Sequence, residues 1–131
     1  MTCFWDGIIS SLNNEDFKLL NLKQKPNPLQ LIVSLQKQNK HTNNITWQGN
    51  SLSKNEKKEN FTHVKEFNYK NINSGYWCST SDPFLFLIAE ILQLNIEHYY
   101  LNNLVKYKNK NKIRKTLYFK SSRGHFQKIN D

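Results

Sequence analysis

Apolar and polar positions alternate along this chain with periods that change from segment to segment. Phe4, Ile8 and Leu12, with Trp5 and Ile9 alongside, recur at helical spacing, and Thr2 stands where an N-cap belongs. "KPNP" at 25–28 breaks that pattern. Pro28 then suits the first turn of a second helix, with Leu29, Ile32, Val33 and Leu35 on one side. Residues 36–60 are polar, anchored only by Ile45, Trp47 and Leu52, and read as a long surface excursion with one strand or helical turn. "FTHVKEFNYKNI" alternates weakly and fits either a short helix or a strand. "SGYWCSTSDPF" is a turn-rich lead-in, in which Ser81 or Asp82 caps and Pro83 opens a buried helix over Phe84–Leu94. "NIEHYYL" alternates as a strand, "NNLVKY" reads as a turn and a second strand, "KNKNK" as a hairpin tip and "KTLYFKS" as a third strand. "SRGHFQKI" places His125 after a glycine turn, at or just before a last strand. Helices first and strands afterwards, with no internal repeat, predict an α+β fold whose helices pack on a small, largely antiparallel sheet.

Composition narrows the class. A chain of 131 residues forms one domain with a real core, and 37% hydrophobic and 13% aromatic residues are too many for a disordered one. Cys3 and Cys78 do not make a disulfide framework, and with only Met1 and Thr2 ahead of Cys3 no targeting segment is expected. The longest apolar run is interrupted by Glu90 and Gln93 and is too short to span a bilayer, so no membrane partner is expected. A reducing, cytoplasmic home follows, where free thiols persist and the sequons at Asn44 and Asn60 carry no meaning.

The net charge of +9 invites a nucleic-acid partner. Yet 17 of the 19 basic residues are Lys, and Asn is as abundant. Both residues share adenine-rich codons, so the bias fits an AT-rich genome such as that of a large DNA virus or a protist. Bidentate gripping of phosphate or guanine would favour Arg. "KYKNKNKIRKTLYFK" could line a single-strand groove, but a hairpin with a solvated charged tip is the plainer expectation.

The chemistry-bearing candidates are few. A thiol becomes a nucleophile when ionised, and a helix N-terminus favours the anion. Cys3 has that position. An imidazole would complete the activation as base and then acid, and His41, His63, His98 and His125 compete for the role, His125 being near the end of the chain. Cys78, in a loop with Asp82 or His98 nearby, is the other candidate nucleophile. Scattered Cys and His residues do not supply a zinc site, and four glycines supply no phosphate loop. No metal or cofactor is therefore expected.

Three blocks in order carry a family likeness. "CFWDGIISSL" resembles the start of the nucleophile helix in the OTU (ovarian tumour) family of cysteine proteases. "GYWCSTSDPFLFLIAEILQLNIEHY" is similar to that family's aromatic loop, helix and following strand. "KTLYFKSSRGHFQKI" looks like its closing strand, turn and His-aromatic pair. The likeness covers the first dozen residues and roughly 64–129; the middle is not matched. It implies a papain-like fold in one domain over 1–131 and a deubiquitinase, of a compact viral kind, that acts as a monomer. Such an enzyme cleaves after the C-terminal Gly-Gly of ubiquitin or a ubiquitin-like modifier, in the host cytoplasm if viral. Carried over, Cys3 is the nucleophile and His125 the general base. Phe126 is the aromatic that packs beneath the strand, and Trp77 lies near the substrate-tail channel or is a plain core tryptophan. Gln127 stands where the family keeps the Asp or Asn that orients the base, with Asn130 as fallback. The family's oxyanion-building residues ahead of the nucleophile are replaced by Met1 and Thr2. An inactive member that still binds ubiquitin is the alternative, and a basic nucleic-acid-binding protein a further one.

Overall fold

Helix starts in this protein are set by short polar side chains, and the same device recurs three times. In the computed structural model, residues 2–122 and 125–129 are described, Asn71 by its backbone alone. The glycine turn at Gly124 and the fallback Asn130 lie outside the described residues. Asn13, Asn27 and Ser53 each accept from the amide three residues on, while Asp16, Gln30 and Glu56 return the bond to the cap's own N–H. These boxes start α2 (Asn14–Leu19), α3 (Pro28–Lys37) and α4 (Lys54–Glu66). The first helix, α1 (Cys3–Ser11), does without one: the Thr2 hydroxyl donates to Asp6 Oδ2 at 2.6 Å instead of accepting from an amide. Asp82 caps α5 (Pro83–Leu92), accepting from the amides of Phe84 and Leu85.

Several stretches differ from the sequence expectation, among them α2, which the apolar pattern does not predict. The polar region 36–60 holds a hairpin of β1 (Ile45–Trp47) and β2 (Asn50–Ser51), and then most of α4, which continues into the segment whose pattern left helix and strand open. Helix α4 buries only Val64, so amphipathic periodicity does not announce it; its capping box and the Asn55–Glu59 side-chain bond do. In α3 the inward side chains are Leu31, Ile32 and Leu35, while Leu29 is 42% exposed.

Among the described residues the sheet is six-stranded and mixed, in the order β2-β1-β4-β3-β5-β6, with β3 (Leu94–Tyr100), β4 (Asn103–Asn109), β5 (Lys115–Ser122) and β6 (His125–Lys128). Every neighbouring pair is antiparallel except β3 and β5. The lysine-rich segment after β4 is therefore not a hairpin tip, because β3 lies between β4 and β5. Arg114 explains the geometry: its amide donates to Gln93 O and its guanidinium to Leu92 O, fastening the start of β5 beside the start of β3. Arg114 and Lys115 also pair with the buried Asp16. Burial pushes the Asp16 carboxyl up, but the bonds from Lys115, the Asn13 amide and Arg114 outweigh it and hold it below its ordinary value. One sheet face packs on the helices through Ile96, Val105, Tyr107, Leu117, Phe119 and Phe126, all buried. Of the aromatics in the lysine-rich segment, Tyr107 and Phe119 belong to the core, while Tyr118 is half-buried.

Candidate active site

Helix α1 lies along β6, and the glycine in it sets how closely. A Cβ built on Gly7 would meet Phe126 Cδ1 at 2.8 Å, inside any van der Waals contact. The Phe4 and Phe126 rings sit 4.7 Å apart, and Lys128 Nζ donates to Ser10 O at 3.1 Å. From Phe4 and Gly7 against Phe126 to Ser10 against Lys128, the contacts run along both elements in the same direction. The beginning of α1 and the beginning of β6 therefore emerge at one end of the molecule, and Cys3 and His125 line one cleft of about 410 Å³.

The loop 75–82 forms the opposite wall. Tyr76 donates to Asp82 Oδ2 at 2.8 Å, the Asp82 amide donates to Tyr107 Oη at 3.0 Å, and Trp47 Nε1 donates to Thr80 O at 2.7 Å. Burial pushes the Asp82 carboxyl up, against the pull of Tyr76 and the amides of Ser79, Phe84 and Leu85. Pinned in this way, the loop presents Trp77 to the cleft with 75% of its surface exposed, so it is not a core tryptophan. Phe126 also borders the cleft but is buried among Phe4, Phe119 and His98.

Gln127 shares a strand face with His125 and pairs with Lys120 of β5. Its side chain makes no hydrogen bond to the imidazole; both residues border a second, polar depression of about 620 Å³ together with Lys120 and Asn102. Among the described histidines, His125 alone lines the cleft with Cys3. His41 packs on Phe61, with ring centres 5.1 Å apart, and His63 lies 3.4 Å from the Tyr76 hydroxyl.

The second cysteine lines the same cleft and, like Cys3, is half-buried. Cys78 Sγ is 4.0 Å from His98 Nδ1. Burial, and then the Asp82 carboxylate, push its thiol far up, while burial pushes the His98 imidazole down to about 4. At neutral pH the pair is a thiol and a neutral ring, which disfavours attack by Cys78. His98 Nε2 also meets Ser121 Oγ at 2.7 Å, a link absent from the sequence reading. Its signal was present: Leu94, Ile96 and His98 share a period of two, which puts the imidazole on the buried face.

Among the described residues no group of three or more His, Cys, Asp or Glu side chains could hold a metal ion, and no helix is long and apolar enough to cross a membrane. No protein-family model, no curated protein sequence and no solved structure matches this chain.

Proposed function

We propose that this protein is an OTU-like cysteine peptidase that removes ubiquitin or a ubiquitin-like modifier. The observation that carries the reading is that Cys3, at the N-terminus of α1, and His125, at the start of β6, line one cleft although they come from opposite ends of the chain; no hydrogen bond joins their side chains. The likeness of three sequence blocks to that family supports it.

The Cys3 thiolate attacks the carbonyl carbon of the modifier's terminal glycine. The C–N bond breaks as the His125 imidazolium delivers its proton to the leaving amine, and a thioester on Cys3 remains. Water, deprotonated by His125, then hydrolyses the thioester and regenerates the thiolate. The Cys3 amide, among the unpaired N–H groups of the first turn, stabilises the oxyanion. A rotation of Gln127 brings its carbonyl oxygen to Nδ1–H and fixes the tautomer. Trp77 on the rim covers the incoming tail, and Phe126 supports the base from below.

Ubiquitin bearing a C-terminal electrophile should label the protein, and Cys3→Ala should abolish labelling while Cys78→Ala preserves it. Labelling that survives Cys3→Ala and vanishes with Cys78→Ala would refute the assignment. The unbonded Gln127 favours one second reading, a member that binds ubiquitin without cutting. Intact diubiquitin after long incubation, with measurable binding, would select it.

A further inference from the structure

His98 is a buried titratable group at the cleft that the proposed chemistry leaves unused. Its residue surface is 0% exposed, yet both ring nitrogens face side chains of the cleft wall: Nδ1 the Cys78 thiol at 4.0 Å, Nε2 the Ser121 hydroxyl at 2.7 Å. A buried polar ring costs stability unless its nitrogens are satisfied, so these bonds fix where it sits. The ring also packs 5.5 Å from Phe126 and edge-on to Tyr100 at 5.8 Å. Ser121 is the cross-strand partner of Phe126, and Ser122 that of His125. His98 therefore grips β5 one residue before the position opposite His125, and supports β6 one residue after it.

We propose that His98 is a positioning residue for the Cys3–His125 pair, tying the cleft's loop wall to the ends of β5 and β6 from beneath. The proposal rests on the reading in which those two residues act together. A neutral ring offers one donor and one acceptor, which matches two hydroxyl-type partners that can each play either part. The titratable groups around it are Cys78 on the loop with Asp82 behind it, Tyr100 on its own strand, and His125 at the start of β6; Val105 and Phe119, its neighbours on β4 and β5, are apolar.

The test compares Cys3 alkylation by iodoacetamide at neutral pH, followed by peptide mass mapping, in the wild type and four variants. His98→Phe keeps the ring packing and removes the Ser121 bond; His98→Gln places an amide nitrogen at the reach of Nε2 and keeps it. Ser121→Ala removes the same bond from the other side with little change in volume. His125→Ala reports how far the base controls Cys3. His98→Phe and Ser121→Ala should each slow alkylation about tenfold, the factor that matches one lost hydrogen bond, and His98→Gln should stay within about twofold of wild type. A folded Ser121→Ala or His98→Phe protein that reacts at the wild-type rate overturns the proposal, as does a His98→Gln protein as slow as His98→Phe. If His125→Ala leaves the Cys3 rate unchanged, the pair is not coupled and both this inference and the peptidase reading fail. If alkylation behaves as expected but the ubiquitin electrophile does not label Cys3, only the peptidase reading fails.

Discussion

Replacing Gly7 by Ala tests how tightly α1 is held on β6. In isolation the change should help, because Ala in a helix interior is favoured over Gly by about 1 kcal/mol. The added methyl, however, would stand 2.8 Å from Phe126 Cδ1, 3.2 Å from Cε1 and 3.4 Å from the Phe126 carbonyl oxygen. Carbon contacts are comfortable only from about 3.5 Å, so something must move by more than half an ångström. The Phe126 ring has little freedom to do so, with Phe4 at 4.7 Å, Phe119 at 4.8 Å and His98 at 5.5 Å. Overpacking of this kind costs about 1–3 kcal/mol, which exceeds the propensity gain and leaves a net loss of about 1 kcal/mol. Calorimetry should show Tm lowered by about 3 °C. The effect on Cys3 should be larger than the effect on stability, since the helix that carries it is displaced from the strand that carries His125. A misplacement approaching 1 Å costs up to about 100-fold in rate, so labelling by the ubiquitin electrophile should slow by tenfold or more. Phe126→Leu in the Gly7→Ala background should recover part of both losses, giving non-additivity in the double-mutant cycle. A Gly7→Ala protein with raised Tm and wild-type labelling would refute the close packing on which the site geometry depends.

Further outcomes follow from buried charge and exposure. His98 titrates near 6.5 when unfolded and about 4 in the fold, so the unfolded chain binds the extra proton between those values and stability falls on acidification through that window. The loss at completion is about 3 kcal/mol, and urea midpoints from pH 7 to pH 4 should show it in the wild type and not in His98→Gln. Asp16, with its carboxyl held below the ordinary value, adds a second loss that begins near pH 3.8 and deepens below it. Asp16→Ala removes a capping box and two charge-assisted contacts and should cost about 3 kcal/mol at pH 7 by chemical denaturation. Trp77→Ala, at a site 75% exposed, should change stability by less than about 0.5 kcal/mol while lowering kcat/KM for a ubiquitin substrate. An equal loss in both measurements would place Trp77 in the core's service and not the substrate's.

Local chemistry made several elements legible before any fold was known. Asp82 and Pro83 announce α5 because a cap and a proline act within one turn, and α5 ends two residues earlier than its apolar run only because Gln93 turns left-handed, with φ 54°, so that β3 starts at Leu94. The inward set of β3 was readable because strand periodicity is a property of adjacent residues. Helix α4 has almost no buried stripe, so apolar periodicity does not mark it, although its Ser53–Glu56 box stands in the sequence.

The sequence by itself determined the helix starts, the strand faces and the candidacy of Cys3 and His125. Tertiary structure decided that β5 lies beside β3 and not β4, because Arg114 fastens it to the end of α5 through bonds between residues far apart in the chain. It also decided how the surroundings of the two thiols differ. Cys3 and Cys78 look alike as letters, but only packing puts Cys78 above a buried imidazole and beside a buried carboxylate while leaving Cys3 at the open end of a helix across the cleft. Desolvation is a property of everything that surrounds a group, and no stretch of neighbouring residues contains it.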